Sequence, residues 1–418
     1  MQLVLILLSI VLLPIQFLII LFRILLGKED PKRFLEKFSI IALPKTQNII
    51  WIHAASVGES NIALNLVDEL SDNKNKNFLI TTGTIASGAN VKKRIESHNN
   101  IFHQYVPIDN FFVIQKFLAH WKPVIFILIE SEIWPITILA SSKQMNLVLV
   151  NGIMSDRSFH RWLKFKFLIE YIGKKFAYTL VQTPKDFNYF KKLGFNNVAT
   201  LGNLKYTQKK LPINVKLFNN LINSIETSKS IFAVSTHKAD EEHILTAFAN
   251  LLKLDSKLKI IIAPRHIERL EELKSLCKDK QIQYRLRSAQ QDNIIDSDWN
   301  IFILDTIGEV NSIFSLGLPT FVGGSFEDGG HNIIEPALYG CPIMFGPDMS
   351  NFEEIKNDFM KNNAAIQVAS HKDLEKVFKS VISSSASEKL VLINNAYNII
   401  KEKQNILALY KEKIQDLL

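Results

Sequence analysis

The chain has 418 residues, 47% of them hydrophobic and 22% charged, which predicts two to three folded domains and excludes a disordered polymer. Lysine and arginine number 49 against 41 acids, and the net +8 suits an anionic membrane surface or a phosphorylated substrate without requiring nucleic acid. Sixteen glycines and thirteen prolines exclude collagen-like and low-complexity classes.

Residues 1–22 carry no charge. As one helix they would reach about 33 Å, enough to cross a hydrocarbon core. No basic segment precedes the run and no small-residue cleavage site follows it, so a signal peptide fits less well. Pro14 predicts a kink, which membrane helices tolerate. Arg23, Lys28, Lys32, Arg33 and Lys37 follow at once. The positive-inside rule then puts the body on the cytoplasmic side of a single-pass transmembrane anchor. The alternative is a buried or interfacial amphipathic helix.

Beyond the anchor, short apolar runs alternate with segments of helical period. Strands are expected at 48–55, 77–82, 124–130, 146–152 and 178–183, then at 230–236, 259–264, 301–306, 319–324 and 342–346. Unbroken apolar runs suit strands buried on both faces, and the intervening helices imply parallel βαβ units. The expected fold class is α/β, with two Rossmann-like domains facing a cleft. The first domain is placed at 23–205 and the second at 230–418. Between them, 206–229 is rich in Lys, Asn and Ser and reads as the linker. The last thirty residues read as helical and could pack back on the first domain.

Ligands of open α/β sheets sit outside the carboxyl ends of the strands. The unusual polar residues recur at those positions. SVGES (56–60) combines Ser56, Gly58 for a tight turn, and Glu59 at a helix start. Glu59 is either a base for an attacking hydroxyl or a plain acidic helix start. ESEIWP brings Glu130 and Glu132, read as acid–base groups or as helix-capping acids. Arg157, His160 and Arg161 share one helix face, suited to an anion or to solvent.

In the second half, Ser235 and Thr236 read as a cap or a phosphate contact, and His237 as structural. Arg265 and His266 leave a strand end in APRHIERL. FVGGSFEDGGHNIIEPALYG is the densest signal, with glycines for close backbone approach, Asn332 expected to open a helix, and Glu335 one turn inside for ribose hydroxyls. It matches neither a Walker loop nor a dinucleotide fingerprint. The two cysteines, Cys277 and Cys341, exclude a disulfide scaffold or a cysteine-rich zinc site and fit a reducing compartment. No D-x-D or His-rich spacing accompanies Glu130 and Glu132, and the sequence offers no convincing metal cluster, so no metal and no cofactor is expected.

Together, WIHAASVGES, TTGTIASGA, YVPID, ESEIWP, NGIMSDRSFHRW, LGNLKY, STHKADEE, APRHIERL, DTIGEV, FVGGSFEDGGHNIIEPALYG and GPDMSNF run in order from about residue 50 to 352. In these stretches the chain resembles the 3-deoxy-D-manno-octulosonic acid (Kdo) transferases of lipopolysaccharide biosynthesis. The resemblance implies the GT-B glycosyltransferase architecture, with the donor CMP-Kdo on the second domain. It implies a lipid A precursor, lipid IV-A, as acceptor at the inner membrane, and no nucleic acid partner. By motif, Glu59 looks like the general base, and Glu130 and Lys205 like transition-state stabilisers. Ser235, Thr236, Arg265, His266, Ile307, Gly308, Glu309, Gly330, His331, Asn332, Ile333, Ile334 and Glu335 look like CMP-Kdo contacts. Ser56, Gly58, Arg157 and Arg161 are candidates for the acceptor.

Two stretches depart from the family pattern. Lys238-Ala239-Asp240 stands where a glycine and a glutamate are common, and FSLGLPT lacks a common aspartate. Two other readings share the architecture, a nucleotide-sugar epimerase and a membrane-tethered nucleotide-sugar sensor.

Overall fold

The computed structural model describes residues 2–40, 43, 46–71, 76–96, 98–290 and 298–418. The chain divides into two units, Met1–Gln208 with Lys403–Leu418, and Lys209–Glu402. Each is built on one seven-stranded sheet in which every pairing is parallel.

The first sheet contains β1 (Ile49–Ala54), β2 (Asn77–Thr82), β3 (Ile101–Tyr105), β4 (Pro123–Ile129), β5 (Asn146–Gly152), β6 (Tyr178–Val181) and β7 (Val198–Thr200), in the order 3-2-1-4-5-6-7. All six residues of β1 are buried. Alternate side chains enter opposite cores: Ile50 and Ile52 join one cluster, Ile49 and Trp51 the other. Trp51 stacks on Phe126 of β4 with ring centroids 3.5 Å apart. The helix Ile406–Gln415 belongs to this unit. Its Ile406, Tyr410 and Ile414 enter the first core, and the Tyr410 hydroxyl donates to the Gly202 carbonyl at 2.9 Å.

The second sheet contains β8 (Ser230–Thr236), β9 (Lys259–Pro264), β10 (Tyr284–Leu286), β11 (Ile301–Ile303), β12 (Thr320–Val322), β13 (Ile343–Phe345) and β14 (Ile366–Gln367), in the order 10-11-9-8-12-13-14. The segment expected to be a linker is structured. Residues 204–207 form a 3-10 turn within the first unit, and a helix at Val215–Ser224 buries Leu217 and Leu221 in the second. Amphipathic spacing of those leucines overrides the polar composition.

The ten strands expected from unbroken apolar runs all form. Four more are present, β3, β7, β10 and β14, and they are the four edges of the two sheets. In both sheets the strand order reverses beside the first strand, between β1 and β4 and between β8 and β12. Those reversals mark where an open α/β sheet opens a crevice for a ligand.

The amino terminus departs from the expected single helix. Gln2–Val11 and Leu13–Leu25 are two helices bent by 48°. Pro14 sits in the first turn of the second helix, where its missing N–H costs nothing, so the break falls just before it. Met1 lies outside the described residues. Among the described residues no single helix is long and apolar enough to cross a membrane, and only the bent pair meets that test by length and composition. The first helix contacts the helices Phe111–Trp121 and Pro135–Ser141 of the first unit. Buried Asn110 donates to the Ser9 carbonyl at 2.6 Å, and the Phe111 N–H donates to the Ser9 hydroxyl at 3.3 Å.

Candidate functional site

In the first unit the reversal point carries three acids and a lysine. The helix Val57–Leu70 begins at the carboxyl end of β1, with Ser56 as its cap accepting the Glu59 N–H at 3.3 Å. Gly58 is the helix's second residue, and Glu59 is the third. The Glu59 carboxylate reaches back to accept the Ala55 N–H at 2.8 Å, which closes the turn. Glu59 is only 8% exposed. Burial pushes its carboxyl above the ordinary value, and the negative charge of Glu130 adds to the rise.

Glu130 follows β4 with a left-handed backbone at φ 63°. Its N–H stays tied to the Val150 carbonyl at 2.9 Å. A left-handed residue that is not glycine is uncommon and marks a position held by its surroundings. Lys205 Nζ pairs with Glu130 Oε1 at 3.0 Å, both side chains being largely buried. An amide lattice positions this pair. Asn151, itself left-handed at φ 56°, accepts the Leu204 N–H at 2.8 Å through its side chain. Gln182 donates to the Asn151 carbonyl and accepts from Asn203, each at 2.9 Å. Asn203 in turn caps the Lys205 N–H at 3.0 Å. The sequence reading gave none of these three amides a role in the site.

Glu132 accepts the Trp134 indole N–H at 2.6 Å and lies 3.6 Å from His53 Nε2. Burial raises its carboxyl, but His53 and Trp134 outweigh that and hold it below the ordinary value. Neither glutamate caps the next helix. Asp109, in YVPID, accepts the Ile136 and Thr137 N–H groups at 3.2 and 2.7 Å. Arg157, His160 and Arg161 are all exposed on the helix Asp156–Leu163.

The reversal point of the second unit is built on Asp240. Its carboxylate accepts the His237 N–H at 2.8 Å, and the Gly324, Ser325 and Phe326 N–H groups at 2.6, 3.2 and 3.3 Å. One buried acid therefore stitches the loop after β8 to the loop after β12. Burial raises its carboxyl against those donors. The expected Ser/Thr cap is replaced: His237 is the capping residue of the helix Lys238–Leu252. Thr236 is fully buried, and its hydroxyl donates to Glu241 at 3.1 Å, so it braces the strand end. Ser235 turns left-handed at φ 53°. Gly323 passes so close that a Cβ would stand 2.6 Å from the Ser235 carbonyl oxygen, which explains a glycine there.

His237 Nδ1 contacts Asp328 at 3.0 Å, and His237 Nε2 meets His331 Nε2 at 2.9 Å. Burial lowers the His331 ring to about 4, helped by the Arg265 and His237 charges. The Arg265 N–H bonds the Thr236 carbonyl at 3.0 Å, which fixes where the guanidinium leaves the strand. His266 is half-exposed beside Glu268. Gly330 is left-handed at φ 74°, with Met349 filling the space a Cβ would need.

The helix expected to open at Asn332 begins at Ile334 and runs only to Leu338, five residues. Pro336 has no N–H to return to the Asn332 carbonyl, so the helix cannot open there, and left-handed Gly340 at φ 76° ends it after little more than one turn. Asn332 spends its side-chain oxygen on the Ile334 N–H at 3.0 Å. A helix this short has a negligible dipole, so Arg265 is the stronger attraction for an anion. Glu335 is partly buried. Burial raises its carboxyl, and Arg265 opposes the rise. At the DTIGEV turn, Ile307 is 90% exposed and Gly308 left-handed at φ 86°. Glu309 is braced by Arg287 at 3.0 Å, Thr306, and Asn214 at 2.9 Å.

Three comparisons place this geometry among known proteins. A family model described as 3-deoxy-D-manno-octulosonic-acid transferase (kdotransferase) matches residues 32–208. The chain is 39% identical over 410 residues to the 3-deoxy-D-manno-octulosonic acid transferase of Rickettsia bellii, covering 97% of each. It is 26% identical to the enzyme of that name from Aquifex aeolicus, covering 93% of this chain and 98% of that one. Among solved structures, UDP-GlcNAc 2-epimerase from Neisseria meningitidis, bound to UDP-GlcNAc, aligns with a TM-score of 0.61 at 12% identity, covering 88% of this chain and all of that one. That last likeness concerns the fold, a GT-B-like pair of parallel α/β units.

Proposed function

Because the chain belongs to the Kdo transferase family of lipopolysaccharide biosynthesis, we propose that it is an inverting, metal-independent transferase. It moves Kdo from CMP-Kdo to the lipid A precursor lipid IV-A. The observation that carries this reading is Glu59, a buried carboxyl with raised proton affinity beside the Glu130–Lys205 pair.

A sugar nucleotide brings its own leaving group, so the enzyme supplies a base, charge stabilisation and orientation. Glu59 takes the proton of the attacking acceptor hydroxyl. Its raised proton affinity suits that task better than an ordinary carboxylate. Lys205, locked to Glu130, supplies fixed positive charge close to the base. Arg265 and His331 meet the phosphate of the donor, Glu335 its ribose hydroxyls, and the Ile307–Glu309 turn its nucleotide end. Ser56 and Gly58 shape the acceptor's approach, and Arg157 and Arg161 attract its anionic groups. Replacing Arg265 with Ala should raise KM for CMP-Kdo far more than for the lipid, since a charged hydrogen bond is worth about 1.5–3 kcal/mol. Steady-state kinetics with each substrate varied in turn checks this, and an effect confined to the acceptor overturns the assignment.

The acceptor is a lipid, and the bent helix pair holds the enzyme to the cytoplasmic face of the inner membrane. Leu3, Leu7, Leu18 and Phe22 are exposed apolar residues on that pair, and exposed Lys28 and Lys32 follow it. Deleting residues 1–22 should leave turnover of detergent-dispersed acceptor within a few-fold while releasing the protein from membranes. It should also lower the melting temperature, because Asn110 loses the Ser9 carbonyl, a loss of about 1–3 kcal/mol. Sedimentation with lipid vesicles, calorimetry and a detergent assay read the three effects. A folded truncation without turnover would remove the anchor reading. The whole proposal is tested by mass spectrometry of product formed from purified enzyme, CMP-Kdo and lipid IV-A.

A further inference from the structure

We propose that Asp328, His237 and His331 form a proton relay that couples binding of the anionic nucleotide donor to uptake of one proton. Only His331 was anticipated as a ligand contact. The inference rests on the donor reading above, and adds a positioning role for His237 and Asp328.

The geometry fixes the order of protons. Asp328 can only accept at 3.0 Å, so His237 carries its proton on Nδ1. His237 Nε2 and His331 Nε2, 2.9 Å apart, must then share one proton between them. Two arrangements satisfy all contacts. In the neutral one, His331 Nε2–H donates to His237, and His331 Nδ1 is left as a bare acceptor. In the charged one, His237 carries both protons and donates to His331 Nε2, so His331 holds its own proton on Nδ1 and presents a donor.

The two arrangements differ by one proton from solvent. It bonds to His331 Nδ1, while the proton on His331 Nε2 passes to His237 Nε2. The positive charge ends on His237, next to the Asp328 carboxylate, and His331 itself stays neutral. That division agrees with the partly buried His331 ring, whose affinity for a charge of its own is low. Other charged groups face this centre. Arg265 opposes a positive charge on His331, which keeps the charge on His237, and there the Asp240 carboxylate, bonded to the His237 N–H, favours it. His266 stands edge-on to His237 with centroids 5.3 Å apart. Gly324 backs the pair, since a Cβ there would lie 2.9 Å from His331 Nε2.

A phosphate or carboxylate beside His331 selects the charged arrangement, which offers it an N–H in place of a lone pair. Binding therefore draws a proton. Affinity for the nucleotide falls by up to tenfold per pH unit once the empty relay is neutral.

Calorimetric titration of the full-length protein with CMP, in buffers of different ionisation enthalpy at one pH, reads the uptake directly. In a pH range where the empty relay is neutral, the wild type should take up close to one proton per CMP. His237→Gln and Asp328→Asn should take up close to none. Nitrogen-15 NMR of the histidine rings provides a second measurement that needs no ligand: lowering the pH should move the His331 proton from Nε2 to Nδ1 in the wild type and not in His237→Gln. An unswitched His331 overturns the relay whatever CMP does, as does uptake unchanged in His237→Gln. If His331 switches but CMP fails to bind, the relay stands and the donor reading falls.

Discussion

Glu59→Gln should lower kcat by about 10²–10⁴, the usual cost of removing a general base, while CMP-Kdo affinity stays close to that of the wild type. Gln keeps the carbonyl oxygen that accepts the Ala55 N–H and leaves the Ser56 cap untouched. The stability effect has the opposite sign. Burial and Glu130 raise the Glu59 carboxyl in the folded chain. A group so raised contributes stability that is complete below its unfolded pKa and is lost as pH rises through the folded value. At neutral pH the native chain therefore bears part of that cost, and neutral Gln does not. The variant should melt at the same temperature or higher at pH 7–8, and its advantage should vanish in acid. In the wild type, kcat should climb with pH as Glu59 ionises, through a pKa above the ordinary carboxylate range, and the variant should lack that limb. A variant turning over within a few-fold of wild type leaves Glu59 as a helix-start acid and moves the search for the base to Glu130.

The fold was largely legible because interior parallel strands must be apolar on both faces. NIIWIHAA, VIFILIE and KIIIAP state that requirement without interruption. The strands that escaped are the sheet edges: IFHQY, VAT, YRL and the two residues of β14 are short or polar because one side of each is unpaired. The candidate site was legible only in part, for a related reason. Glu59 and Glu130 follow recognisable strands, so their positions could be read from pattern. Asp240 resembled an ordinary first-turn acid, and nothing local shows that it gathers amides from a loop more than eighty residues away. The left-handed backbones of Glu130 and Asn151 depend on pairings between β4, β5 and β6, which no sequence window contains. Asn332 failed for a local reason, since Pro336 cannot bond back to the Asn332 carbonyl and left-handed Gly340 ends the helix after five residues.

Lys205→Met should be the more damaging change, because it harms the fold and the chemistry together. The Lys205–Glu130 pair is largely buried, and deleting one member of such a pair leaves an uncompensated charge, with a cost of up to about 3–5 kcal/mol. Glu130→Gln with Lys205→Met removes both charges and should recover much of that stability. The chemistry should not recover. If Lys205 supplies the fixed positive charge near the reacting hydroxyl, kcat should fall by about 10²–10³ in the single and in the double variant alike. The pH profile separates the two roles further. With Lys205 gone, the Glu130 charge acts on Glu59 without a counter-ion, so Glu59 should ionise at still higher pH and the rising limb of kcat should move in that direction. In the double variant Glu130 is neutral as well, and the limb should move back down. A lysine that serves only to hold the 203–207 turn predicts a different result, in which the stable double variant regains turnover along with its melting temperature. Asn151, Gln182 and Asn203 remain to hold that turn, so recovery of folding without recovery of rate would assign the charge of Lys205 to the reaction itself.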